Sequence, residues 1–501
     1  MWSPSFRRAL IYLPLLLIGA EAVLHLLQVV FTRIQSPYEL EWMEGAMLQQ
    51  VHRLLHGLPL YGEPTLDFVP ALYMPLYYGV SALSAYVFGE SLFALRLVSI
   101  TAALITHILV FLIVRRVSGS LLAAVLGAML FAATFPHTAF WFDVARVDSL
   151  WVLCLAATVY ALLSLREQAS IRAVIVVAVF SVAALLAKQA SLFFMPFLVL
   201  SIWCWAGWRY ALGFCVLFAL GASFFIALII AFYDERFFFY VFQMAGSHGV
   251  TLSGFRRFGL DVMFSIAGTL FSALLYPFLL DGSWREKLGW LAVLAGFIFL
   301  SMVSRAYAGA FFNVLMPLHF CVAIFSALTL ALLLKRTQVS SWWFLPALLL
   351  MALLLNDMYR ARYVVAKQLP TADSDAAYGV LIDRIAAVQG RVCITSHGYL
   401  AWMAGKDFCA HNTQVTDVMT GSDPALAQAL RDDSRQKILS GYYSVMVLDR
   451  EKELLDLGLQ FSEIPYTVTP IDYVHGPIQF PVNGYSPKLW LEFKEEKKYA
   501  R

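Results

Sequence analysis

The sequence predicts an α-helical multi-pass membrane protein with a small α/β domain outside the membrane at its C-terminal end. Three observations predict this. Of 501 residues, 60% are apolar and 14% charged, whereas a soluble globule averages about 45–50% and about 25%. The apolar residues gather into runs suited to a hydrocarbon core about 30 Å thick, which takes roughly 20 residues of helix to cross. The acidic residues are skewed: 17 of 33 fall in the last 131 positions, so the chain changes character near its end. The net charge of +3 is too small and too dispersed for a nucleic-acid footprint, which argues against that class of partner.

Eleven apolar stretches read as spans, at about 9–31, 93–114, 120–138, 149–165, 171–187, 190–206, 211–232, 260–280, 288–304, 313–334 and 342–358. With the N-terminus inside, alternate connections carry Arg7 and Arg8, Arg115 and Arg116, Arg166 and Arg172, Arg209, Arg285 and Lys287, and Lys335 and Arg336. Those pairs follow the positive-inside rule. The stretch Leu72 to Phe88 is read as an interfacial helix, because counting it as a span would invert every later assignment. The first run exceeds a signal-peptide core and lacks a small-residue cleavage motif, so no cleaved leader is expected.

This arrangement gives a membrane domain over 1–358, a linker over 359–375 and an extracytoplasmic α/β domain over 376–501. Gly390–Thr395 and Tyr443–Leu448 read as buried strands, with Ala425–Lys437 a helix between them. Of six cysteines, Cys154, Cys204, Cys215 and Cys321 lie in spans, as packing residues. Cys393 and Cys409 fall outside, where an oxidising compartment permits a disulfide.

Ionisable groups at membrane depth are costly, so their placement is informative. One side gathers Glu39, Glu41 and Glu44 in the first loop, Asp143, Arg146 and Asp148 in the second, Lys188 and Arg305 at span ends, and His248 in a later loop. If a helix begins before Glu41, Glu41 and Glu44 share one face, and a carboxylate there suits general-base work on a hydroxyl. Asp148 opens a span, so it reads either as a helix cap or as a substrate-orienting carboxylate. Lys188 and Arg305 interrupt apolar sequence; they either snorkel to the interface or hold a phosphate at the membrane surface. No P-loop, GxGxxG, HExxH or CxxC occurs.

In order along the chain stand Glu44-Gly45 to Gly57, LPLY, MPLYY, FGESLFALRL with a following RR, ARVDSLWVLCL, LLAKQASLFFMP and GAFFNVLMP. Over about residues 9–320 this series resembles the polytopic GT-C glycosyltransferases. It is most similar to protein O-mannosyltransferase-like enzymes and to the bacterial aminoarabinose and lipopolysaccharide-core transferases that use polyprenyl-phosphate sugars. The resemblance implies an inverting transfer from a polyprenyl-phosphate-linked sugar to a hydroxyl of a glycolipid, polysaccharide or protein, at the outer face of a bacterial inner membrane. It puts Glu44 at the catalytic acidic position, Asp148 at the supporting one, and Lys188, Arg305 and Asn313 near the lipid phosphate. Arg146 and His248 join them as substrate-binding candidates. The family commonly has Asp-Glu in the first loop, whereas Met43 precedes Glu44 here; either Glu41 supplies the second carboxylate or the site works with one. Some relatives place a divalent cation between carboxylates and phosphate, a role Glu44 with Asp148 would imitate. The alternative is a transporter or lipid flippase, which predicts inverted repeats or broken helices with polar groups at the bilayer midplane. Neither is evident in the sequence.

Overall fold

The computed structural model describes residues 3–233, 236–247, 249–474 and 476–494. The membrane part is built from α1 (Pro4–Arg33), α2 (Glu44–Leu55), α3 (Leu76–Phe88), α4 (Leu92–Ser118), α5 (Leu121–Ala133), α6 (Asp148–Glu167) and α7 (Ile171–Ala187). It continues through α8 (Met195–Ala206), α9 (Trp208–Tyr233), α10 (Leu252–Ser265), α11 (Ala267–Leu279), α12 (Trp284–Ala306), α13 (Met316–Arg336) and α14 (Phe344–Arg360). Local signals set many of the boundaries. Ser3, Ser91, Ser120 and Ser170 each accept a backbone N–H from the first turn of the helix they precede. Gly119, with φ +69°, closes α4 one residue before Ser120 opens α5.

Among the described residues, seven helices are long and apolar enough to cross a membrane. Each of the eleven stretches read as spans holds a helix, but α5, α7 and α8 have only 13, 17 and 12 residues. The stretch 260–280 is not one straight element: α10 and α11 meet at 94°. Helix α13 is buried along most of its length and forms the centre of the bundle, while Leu13, Leu17, Leu24 and Phe31 of α1 face outward.

The basic connections meet one another at one end. Arg7 donates to the Thr337 carbonyl at 3.3 Å, Arg116 pairs with Glu167 at 2.6 Å, Arg166 with Glu286 at 2.8 Å and Arg336 with Asp281 at 2.8 Å. The other end carries the first and second loops and the C-terminal domain.

That domain has a four-stranded sheet in the order β1 (Val392–Ile394), β2 (Val445–Leu448), β4 (Leu489–Phe493), β3 (Tyr466–Pro470). β1 and β2 are parallel and fully buried; their crossover includes the helix Pro424–Leu439. The last two strands pair antiparallel. Helix α15 (Ala372–Ala386) leads into the domain, starting four residues before the position where the domain was expected to begin. Cys393 and Cys409 form a disulfide. Cys154, Cys204 and Cys321 are free and buried; Cys215 is free and exposed.

The domain sits on the first loop. Tyr38 stacks on Tyr378 at 4.2 Å, the Tyr399 hydroxyl donates to the Pro37 carbonyl at 2.8 Å, and Trp42 N–H donates to the Asn483 carbonyl at 3.1 Å. Gly45 marks the closest approach: a Cβ there would stand 2.5 Å from both the Tyr399 Cβ and a Glu39 carboxylate oxygen. Only glycine fits.

Candidate active site

Three carboxylates of the first loop take three separate partners. Glu39 accepts from the His397 imidazole at 2.9 Å and from Gly45 N–H at 3.0 Å. Burial alone would lower the pKa of His397, but Asp449 and Glu39 flank the ring and raise it well above the ordinary imidazole value. The contact is therefore an ion pair between the first loop and the C-terminal domain.

Glu44 is the first residue of α2, and both of its oxygens are saturated. Arg96 of α4 holds it in a two-point grip, Nε to Oε1 at 2.9 Å and Nη2 to Oε2 at 2.6 Å. Ala145 N–H adds a bond to Oε1 and Leu40 N–H one to Oε2, both at 2.7 Å. The remaining Arg96 donors go to the carbonyls of Arg33, Ser36 and Tyr38. Burial pushes the Glu44 carboxyl up, but the Arg96 charge and these hydrogen bonds outweigh it and hold the pKa below its ordinary value. Such a group is a fixed anion. The resemblance puts Glu44 at the catalytic acidic position; here its two oxygens are engaged by four protein hydrogen bonds.

Nor do Glu41 and Glu44 share a helix face, because α2 starts only at Glu44 and Glu41 lies in the preceding turn. Glu41 has the opposite environment. Arg146 Nη1 at 2.8 Å and Met43 N–H at 3.2 Å both donate to Oε2, and among the described residues nothing donates to Oε1. Burial raises its pKa most, the Arg146 charge and hydrogen bond oppose this, and the Glu44 charge raises it further; the balance lies at about 7. A carboxyl of that kind exchanges protons near neutrality.

Asp148 is the first residue of α6, and the cap position before it belongs to Val147. Its side chain points sideways, accepting from Lys188 Nζ at 2.7 Å on Oδ1 and from Trp141 Nε1 at 2.9 Å on Oδ2. The Asn313 side chain hydrogen-bonds to it as well. Lys188 follows α7 in extended conformation, which swings its ammonium back toward Asp148. Tyr73 links the two groups: its hydroxyl accepts from Arg146 Nη2 at 2.9 Å, and its ring lies 5.9 Å from the Lys188 ammonium. Glu41, Arg146, Tyr73, Lys188, Asp148 and Asn313 thus form one buried network. Within it the Arg146 Nε–H is buried and has no partner among the described residues.

Arg305 stands one aromatic layer away. Phe311 packs on Trp141 at 5.5 Å and on Phe312 at 5.3 Å, and the Arg305 guanidinium sits 5.1 Å over Phe312. Its own anion is Asp261 of α10, at 2.7 Å. His248 lies outside the described residues. A divalent cation shared by Glu44 and Asp148 does not fit this geometry, because all four of their carboxylate oxygens already accept hydrogen bonds from the protein.

Sequence reasoning missed Arg96, Tyr73 and Trp141. Arg96 carried a usable signal: an arginine one turn inside an apolar span needs a buried anion, though the sequence does not say which acidic residue supplies it. The second loop is also strained. Ala139 and Phe140 have φ of +54° and +61°, a conformation that costs about 1–3 kcal/mol per residue outside glycine. Arg33 secures it, donating to the Phe140 carbonyl and to Asp143, both from Nη1.

Residues 72–233 match the family model for dolichyl-phosphate-mannose-protein mannosyltransferase. No curated protein sequence matches the chain. Among solved structures, ArnT from Cupriavidus metallidurans in the apo state is similar with a TM-score of 0.59 at 12% identity, covering 95% of this chain and 97% of that one. The same protein bound to undecaprenyl phosphate gives 0.58 at 12% identity, with the same 95% and 97% coverage. The oligosaccharyltransferase AglB from Archaeoglobus fulgidus, in complex with an inhibitory peptide and a dolichol-phosphate, gives 0.51 at 12% identity over 88% of this chain and 70% of that one. In fold, and in the segment that holds Tyr73, Arg146, Asp148 and Lys188, this integral membrane protein resembles the GT-C glycosyltransferases.

Proposed function

We propose that the protein is an inverting glycosyltransferase that moves a sugar from a polyprenyl-phosphate donor to an acceptor hydroxyl of a glycolipid, polysaccharide or protein. The reaction takes place on the extracytoplasmic side of a bacterial inner membrane. The observation that carries this reading is the buried network in which a carboxyl with a pKa of about 7, Glu41, lies one arginine and one tyrosine away from the Lys188–Asp148 pair.

The donor enters laterally from lipid, with its phosphate directed at the cations. Lys188 exchanges part of its contact with Asp148 for the phosphate, and the unpartnered Arg146 Nε–H offers a second donor. Asn313 and Arg305 line the approach. Glu41 accepts the proton of the acceptor hydroxyl on its open oxygen while that hydroxyl attacks the anomeric carbon. The new bond joins acceptor oxygen to carbon, the carbon–oxygen bond to phosphate breaks, and its electron pair leaves on the lipid phosphate. Charge developing there meets preorganised donors in a site screened from water. Asp148 sets the position of Lys188. Glu44, clamped by Arg96, acts as a positioning residue that fixes Ala145 and with it the adjacent Arg146.

The test is incubation of purified protein with a panel of polyprenyl-phosphate sugars and candidate acceptors, followed by mass spectrometry. The expected outcome is release of lipid phosphate together with a glycosylated product. If labelled lipid crosses a proteoliposome bilayer with its sugar intact and no lipid phosphate appears, the protein is a transporter instead.

A further inference from the structure

We infer that the far end of α2 carries a divalent transition-metal site made by His52, His56 and Glu90, separate from the network that contains Glu41 and Asp148. His52 and His56 stand one helical turn apart, so their rings share a face; the ring centroids are 4.2 Å apart. Glu90 comes from the turn between α3 and α4, just after Gly89 at φ +87°. One of its oxygens lies 2.6 Å from His52 Nδ1 and the other 3.7 Å from His56 Nε2. All three donor atoms fall within 4.8 Å of one another.

The chemistry of the set points to a borderline metal. Two imidazoles and one carboxylate are ligands that zinc accepts while keeping a fourth position open. Zinc bonds of about 2.0–2.2 Å put neighbouring donors roughly 3.3 Å apart in a tetrahedral site. The three donor atoms stand within 4.8 Å of one another, so side-chain rotations that close each gap by about 1.5 Å at most reach that spacing. The side chains of His52, His56 and Glu90 are 27%, 48% and 23% exposed, which gives an ion access and leaves room for a water ligand.

The local electrostatics favour a cation. Arg53 would be the nearest competitor by sequence, yet its guanidinium lies 3.6 Å over the Phe68 ring and its Nε donates to the Pro59 carbonyl. Among the described residues, the Glu90 carboxylate has the two imidazoles as its only charge partners. The last carbonyls of α2 add negative potential at the same spot. An ion here would join the end of α2 to the start of α4, the two helices that Glu44 and Arg96 connect further along.

The experiment uses the untagged full-length chain in detergent, stripped with a chelator. Titration with Co2+ should give the visible absorption of a four-coordinate ion, saturating at one equivalent and displaced by Zn2+, and Zn2+ should raise the thermal unfolding midpoint. His56→Ala and Glu90→Gln should each weaken Zn2+ binding by more than the roughly 10–100-fold that loss of an outer-shell partner costs. The inference is overturned if the wild-type protein takes up no Co2+ or Zn2+ at millimolar concentration, or if Mg2+ binds as tightly as Zn2+. Unchanged Zn2+ affinity in both variants overturns it equally. If either variant fails to fold, the wild-type cobalt spectrum decides alone.

Discussion

Glu41 and Glu44 stand three residues apart, are equally buried, and have opposite chemistry. Glu44 receives four hydrogen bonds, two of them from one arginine, and is held ionised. Glu41 has one arginine on one oxygen, the neighbouring anion behind it, and a pKa of about 7. The difference teaches that burial does not decide whether a carboxylate is structural or reactive. What decides is how many donors meet its charged form. A fully satisfied anion fixes geometry, whereas an underserved one beside it retains the capacity to move a proton.

The comparison can be broken most directly at Glu41. Glu41→Gln should lower turnover by about 10²–10⁴-fold, the usual contribution of a positioned general base, while the unfolding midpoint in detergent stays at or above that of wild type. If Glu44→Gln were instead the variant that lost turnover with unchanged stability, the two roles would be reversed. Next comes the Glu44 grip. Arg96→Met leaves a buried carboxylate without its counter-ion, and should destabilise the protein by about 3–5 kcal/mol. The double variant Glu44→Gln with Arg96→Met should recover part of that loss, measured by unfolding in detergent.

Lys188→Ala should raise the apparent KM for the lipid-linked sugar by about 10–100-fold, the equivalent of a charge-assisted hydrogen bond worth about 1.5–3 kcal/mol. An unchanged KM would remove Lys188 from the phosphate site. The last test is the pH profile. Deprotonated Glu41 is the active form, so the rate should rise about tenfold per pH unit below about 7 and level off above it. Stability runs the other way. The folded pKa is raised, so the protonated form is favoured by folding, and stability falls as pH rises from 4.5 to about 7, by at most about 1.4 kcal/mol per unit. Glu41→Gln should flatten both dependences.

The sequence made part of this arrangement legible, for identifiable reasons. Lys188 and Asp148 stand out because a charge at the edge of an apolar run is expensive, and the structure pairs them at 2.7 Å. The same rule flagged Arg305 but could not reveal its partner, since Asp261 belongs to a helix whose break at Ile266 is invisible in hydropathy. The distinction between Glu41 and Glu44 was hidden because it depends on Arg96, Ala145 and Arg146, which reach the first loop from far along the chain. In the C-terminal domain, β1 and β2 read clearly as short apolar runs buried on both faces. β3 escaped notice although Tyr466 to Thr469 alternate apolar and polar, because the run is short, ends in proline and is mostly exposed.

The Glu39–His397 ion pair, together with the fit of Gly45 against Tyr399, constrains how such proteins can be recombined. A chimera that borrows the C-terminal domain of a relative would inherit a foreign surface where residues 38–45 expect their own. Swaps should succeed only when that first-loop segment travels with residues 395–411 as one cassette.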